Sequence, residues 1–109
     1  MGQFTVGDVV IVHFPYADFT RVKKRPALVV GNAEFDNLIL CQITSKSNTS
    51  QIAIPLFNDD FLEGSLPIDS YIRPDKLFTV EVSVIDKRVG VLETVLINNV
   101  RSQVRNIFT

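Results

Sequence analysis

Leu38-Ile39-Leu40-Cys41-Gln42-Ile43-Thr44 is the stretch that decides the fold class. A two-residue period sorts its side chains: Ile39, Cys41 and Ile43 share one face, while Leu40, Gln42 and Thr44 share the other. That is a strand, preceded by the turn signal Asp36-Asn37 and followed by the polar stretch 45–50. Toward the N-terminus, residues 27–30 read as a second strand, entered through Pro26 and closed by Gly31-Asn32. Proline cannot donate to a ladder, so the start of a strand is a permitted place for it. Residues 15–24 read as a polar loop, and 9–14, opened by Gly7-Asp8 and closed by Pro15, as a β-branched strand. Toward the C-terminus, 52–56 reads as a strand and 58–69 as a long acidic connection containing Gly64 and Pro67. Residues 70–73 and 76–80 read as two short strands broken at Pro74-Asp75. Residues 82–90 fit either a strand or a short irregular segment.

The period then changes. Leu92, Val95, Leu96, Val100, Val104 and Ile107 recur every three to four residues, which describes an amphipathic helix laid on the core. Glu93 and Thr94 suit its first turn, and Arg101 and Arg105 its end, where the helix dipole favours cations. The fold class is therefore mainly β with a C-terminal α-helix. Five to seven short strands must curl into a small bent sheet or barrel to share one core with the helix. A single domain, 1–109, is expected.

Composition narrows the function. With 46% apolar and 21% charged residues the chain is an ordinary folded protein, and no run approaches a membrane span. Residues 1–8 lack a basic segment followed by an apolar run, so no secretory signal is read there. The lone Cys41 excludes an intrachain disulfide. A cytoplasmic location is expected. A net charge of −1 argues against a general nucleic-acid coat, but Arg21, Lys23, Lys24 and Arg25 fall within five positions. Such a cluster either binds a polyanion at one place or is a solvated basic loop.

Few residues suggest chemistry. His13 is one histidine without a Cys/His cluster, so it reads as structural and no metal or other cofactor is expected. Cys41, alternating with Ile39 and Ile43, reads as a small core hydrophobe. Phosphate-cradle and serine-hydrolase motifs are absent. Three polar groups remain where strands meet loops: Lys24-Arg25-Pro26, Thr44-Ser45-Lys46 and Arg73-Pro74-Asp75. Each is weak alone, and an Arg-x-Asp spacing also describes a surface ion pair.

Their order carries more. Gly7-Asp8-Val9-Val10, Arg25-Pro26-Ala27-Leu28-Val29-Val30, Ile43-Thr44-Ser45, Ser70-Tyr71-Ile72-Arg73-Pro74-Asp75-Lys76-Leu77 and Gly90-Val91-Leu92 follow one another over nearly the whole chain. In that order they resemble the MazF/PemK/Kid toxins of type II toxin–antitoxin systems. The resemblance implies an SH3-like barrel, usually homodimeric, that cleaves single-stranded RNA, typically mRNA, without a metal. It also implies a cognate antitoxin whose acidic tail covers the RNA groove, and DNA binding together with that antitoxin.

Carried over by position, the resemblance makes Arg25, Thr44, Arg73 and Asp75 the catalytic set. Arg25 would hold the scissile phosphate and Thr44 would contact it. Arg73 and Asp75 match the pair given acid and base roles in the Kid branch. Arg21, Lys23, Lys24, Ser45 and Lys46 are candidate phosphate or RNA contacts, and Phe19 is a candidate base-stacking residue. The first loop departs from the family: Asp18-Phe19-Thr20-Arg21-Val22-Lys23-Lys24 is short, basic and without glycine. Two other readings stay open, a CcdB-like poison that binds DNA gyrase on the same fold and an inactive antitoxin-binding module.

Overall fold

The computed structural model describes residues 3–15, 22–46 and 50–109. Among the described residues, seven strands form one antiparallel sheet: β1 (Asp8–Pro15), β2 (Val22–Ala33), β3 (Asn37–Thr44), β4 (Ile54–Leu56), β5 (Phe61–Gly64), β6 (Ser70–Glu81) and β7 (Ile85–Leu92), followed by helix α1 (Thr94–Ile107). Their spatial order is β4-β6-β3-β2-β1-β7-β5. Register shifts in the β1–β7, β2–β3, β3–β6 and β5–β7 pairs mark bulges, which add twist and let so many strands curl.

The alternation read in β3 sorts the interior. Cys41 and Ile43 join Val9, Leu28, Ile72, Val100 of the helix and Leu92, which ends β7 rather than opening the helix stripe, in one cluster. Leu38 and Leu40 join Val10, Val12, Ala27, Val29 and Ile85 in a second. The sheet thus buries apolar side chains on both faces, where one common core was expected. The helix stripe is Leu96, Ile97, Val100 and Val104. Val95, expected on it, is 83% exposed, and Ile107 is 42% exposed. Val95 turns to the opposite side of the helix from that stripe, and Ile107 is the last helical residue, beyond the part that packs on the sheet. Glu93 is the N-cap and Arg105 lies in the last turn.

Several boundaries differ from the sequence reading. β2 begins at Val22, so Lys23, Lys24 and Arg25 belong to a strand rather than a loop. Pro26 sits inside that strand but opposite β1 only, because pairing with β3 starts at Ala27. The acidic connection contains a strand, β5, paired with β7. Residues 82–84 are a 3-10 turn and 85–92 a strand. The β2–β3 hairpin turns through Phe35 and Asp36, both at φ 60°.

Gly7-Asp8 now has a structural reason. Gly7, at φ 101°, donates its N–H to Val29 and accepts from the Leu92 N–H, joining β2 to β7. Few side chains tolerate that backbone conformation. Asp8 is buried, accepts the Thr5 N–H at 2.9 Å and lies 3.7 Å from Arg88.

Candidate active site

The sheet face that carries Leu38, Leu40, Ala27 and Val29 is apolar at one end and turns polar at the other. Continuing each strand by twos past the buried cluster leads to Arg25 on β2 and to Gln42 and Thr44 on β3. The ladders put these residues in rows. Ala27 opposes Gln42, which opposes Arg73 on β6, and Thr44 opposes Tyr71. Arg25, two residues before Ala27, extends the next row toward Thr44. Neighbouring strands are about 4.8 Å apart, so three adjacent strands bring these groups within reach of one small anion.

A cavity of about 200 Å³ lies there, lined mainly by polar atoms of Arg25, Gln42, Thr44, Ser45, Lys46, Arg73 and Lys76. Of the four residues proposed as catalytic, Arg25, Thr44 and Arg73 line it together. Asp75 stands behind Arg73. Its two carboxylate oxygens accept the Arg73 Nε–H at 2.9 Å and an Nη2–H at 2.7 Å. Arg73 holds the Asp75 carboxyl below its ordinary value, chiefly through that hydrogen bond, and Asp75 raises the guanidinium in return. The pair consumes two of the five guanidinium N–H groups, leaving the others for a ligand. The Thr44 Oγ1 accepts the Lys46 N–H at 3.2 Å, which orients its own O–H.

The remaining candidates divide. Ser45 and Lys46 line the cavity. Lys23 and Lys24 do not, and Lys24 pairs with Asp86 at 3.2 Å. Arg21 and Phe19 lie outside the described residues. Gln42 and Lys76 line the cavity and were not singled out from the sequence. The alternation that put Gln42 on the face of Thr44 was the signal for the first; the second lies in the run 70–77, to which the resemblance attaches a role only at Arg73 and Asp75.

A second, mostly apolar pocket of about 240 Å³ adjoins the first, sharing Arg25, Ile43 and Ser45 and adding Ile11, Pro26, Leu66 and Ile68 among its walls. Cys41 is buried, and burial first, then the Asp75 charge, pushes its thiol up to about 12, so it is no nucleophile. His13 is exposed at the far end of β1. Among the described residues, no three His, Cys, Asp or Glu side chains are grouped so as to hold a metal ion. None of the described helices is long and apolar enough to cross a membrane.

Comparison with known proteins agrees with the architecture. Residues 5–108 match the model of the PemK-like, MazF-like toxin of type II toxin–antitoxin systems, and the chain belongs to that family. Among solved structures, MazE–MazF from Deinococcus radiodurans superposes with a TM-score of 0.77 at 15% identity, covering 96% of this chain and 95% of that one. The toxin MazF-mt6 of Mycobacterium tuberculosis gives 0.68 at 19% identity, covering 93% and 95%. An endoribonuclease in complex with its cognate antitoxin, from a mycobacterial species, gives 0.71 at 15%, covering 96% and 97%. At these identities the likeness concerns the fold, which is the MazF-type barrel with a C-terminal helix. A search of curated protein sequences finds no significant match.

Proposed function

We propose that this toxin is a sequence-specific endoribonuclease that cuts single-stranded RNA through the RNA's own 2′-hydroxyl, without a metal. The carrying observation is that Arg25, Thr44 and Arg73, from three neighbouring strands, line one cationic cavity. In the reaction the 2′-oxygen bonds to the adjacent phosphorus and the bond from phosphorus to the 5′-oxygen breaks. The 2′ proton passes to a base and the leaving 5′-oxygen gains one. The products are a 2′,3′-cyclic phosphate and a 5′-hydroxyl.

The side chains act on the phosphate. The Arg25 fork suits two of its oxygens, and the Thr44 O–H donates to one of them. Arg73, held by Asp75, offers its remaining N–H groups to the charge that develops in the transition state. Asp75 acts here as a positioning residue, since its lowered pKa makes it a weak acceptor for the 2′ proton. The adjoining apolar pocket can take a base flanking the cut. Lys46 and Ser45 add contacts at the rim. A homodimer and an acidic antitoxin segment over the cationic cavity complete the reading. The solved relatives described as toxin–antitoxin complexes and as endoribonucleases support it.

The test is incubation of purified protein with long single-stranded RNA in EDTA, beside Arg25→Ala. Discrete cuts with 5′-hydroxyl ends, lost in the variant, are expected. Intact RNA with folded protein overturns the proposal, and inhibition of gyrase supercoiling in the same preparation would replace it with a gyrase poison.

A further inference from the structure

The longest register jump in the sheet lies beside the cavity. Cys41 opposes Leu77 and the next residue, Gln42, opposes Arg73, so one step along β3 spans four along β6. Pro74, Asp75 and Lys76 are the extra residues. Pro74 is buried and pins the bulge, while Asp75 and Lys76 are exposed. In an unbroken strand, three residues of separation would send Lys76 to the face opposite Arg73. The bulge resets the alternation and both side chains line the same cavity.

The cavity's cations are not equally available. Arg73 is committed to Asp75 in a two-point ion pair. Arg25 and Lys46 also have partners. Lys76 makes no hydrogen bond or ion pair among the described residues, and acts only through space on Asp75. It is an exposed point charge on the wall of a cavity shared with Arg25, Lys46 and Arg73, and its ammonium is open to an incoming anion. We propose that Lys76 is a substrate-contacting residue that binds an RNA backbone phosphate in this cavity. The inference rests on the ribonuclease reading and adds to it a contact that neither the Arg-Pro nor the Arg-x-Asp pattern contains.

The test measures binding of the wild-type protein, Lys76→Gln and Lys76→Arg to single-stranded RNA carrying 2′-O-methyl groups, which cannot be cut. Binding is followed by fluorescence anisotropy across a salt series. For Lys76→Gln we expect affinity on the order of tenfold weaker at low salt. The slope of log K against log salt should become shallower by about 0.7, the signature of one lost phosphate contact on a single strand. Lys76→Arg should restore the slope. On cleavable RNA, Lys76→Gln should raise KM far more than it lowers kcat. Among the described residues the side chain makes no bond, so melting should be unchanged. A slope and affinity equal to wild type in Lys76→Gln overturn the inference even if the protein cuts RNA. A slope that depends on Lys76 in a protein that binds but never cuts upholds the contact and defeats the ribonuclease. Failure of the wild type to bind RNA overturns both.

Discussion

Asp75→Asn separates chemistry from stability. The wild-type carboxylate receives two N–H groups from Arg73, at 2.9 and 2.7 Å, and the side chains are 32% and 12% exposed respectively. A pair so open to water is worth about 1 kcal/mol at most, because solvent screens it. In a domain of this length that moves Tm by roughly 4–8 °C. The sign with pH follows from the lowered carboxyl. Its stabilisation is present above the ordinary value of 3.8 and is lost as pH falls through the lower folded value. The gap between wild type and Asp75→Asn should therefore be full at pH 7 and close in strongly acid solution. Urea denaturation at pH 7 and at successively lower pH below 3.8 reads the closing of the gap directly. Cleavage should fall far more than stability, by about a hundredfold or more, since Arg73 loses the partner that fixes its fork. A stability loss beyond about 3 kcal/mol at pH 7 would mean that the pair behaves as a buried network, contrary to its exposure. Cleavage at the wild-type rate would remove the Arg73–Asp75 pair from the mechanism.

Other outcomes are expected. Arg25→Lys keeps the charge but loses the planar fork, so single-turnover cleavage should drop at least about tenfold while circular dichroism and melting stay close to wild type. Val100→Ala removes two buried methyl groups between helix and sheet; equilibrium denaturation should show a loss of about 2–3 kcal/mol, with cleavage per folded molecule unchanged. Phe35 holds φ 60° at the hairpin tip with its ring 86% exposed, so Phe35→Asn combined with Asp36→Gly should raise stability by about 1 kcal/mol in the same assay.

How far the structure was legible depends on what each element advertises. β3 announced itself because it is apolar, alternating and flanked by turn residues, and α1 because its period is long enough to average over errors such as Val95. β5 was missed because Phe61-Leu62-Glu63-Gly64 is a short edge strand with little buried surface, and its pairing with β7 is a long-range fact. β6 was read as two strands because Pro74-Asp75 is an ordinary breaker, whereas here those residues bulge out of a continuous ladder. Arg25, Thr44 and Arg73 could be chosen through the resemblance, since each sits in a short ordered motif. Lys76 lies in the same run as Arg73, but the resemblance gives it no role, and its face depends on how many residues the bulge absorbs. Lys24 looked equivalent to Arg25 in sequence, yet adjacent positions on a strand face opposite ways, and Lys24 finds Asp86.

Arg25, Gln42, Thr44 and Arg73 are all rungs of paired strands. The apolar pocket beside them is walled partly by Leu66, Pro67 and Ile68, in the connection between β5 and β6. On the ribonuclease proposal, the strands that hold the phosphate and the connection that walls the base pocket are different pieces of chain, meeting at Arg25, Ile43 and Ser45. On that proposal, substitutions at Leu66, Pro67 or Ile68 should alter which RNA sequence is preferred while leaving the strand register that spaces Arg25, Thr44 and Arg73 in place. Grafting that connection from another member of the family should then exchange sequence preference while the phosphate-holding strands stay as they are.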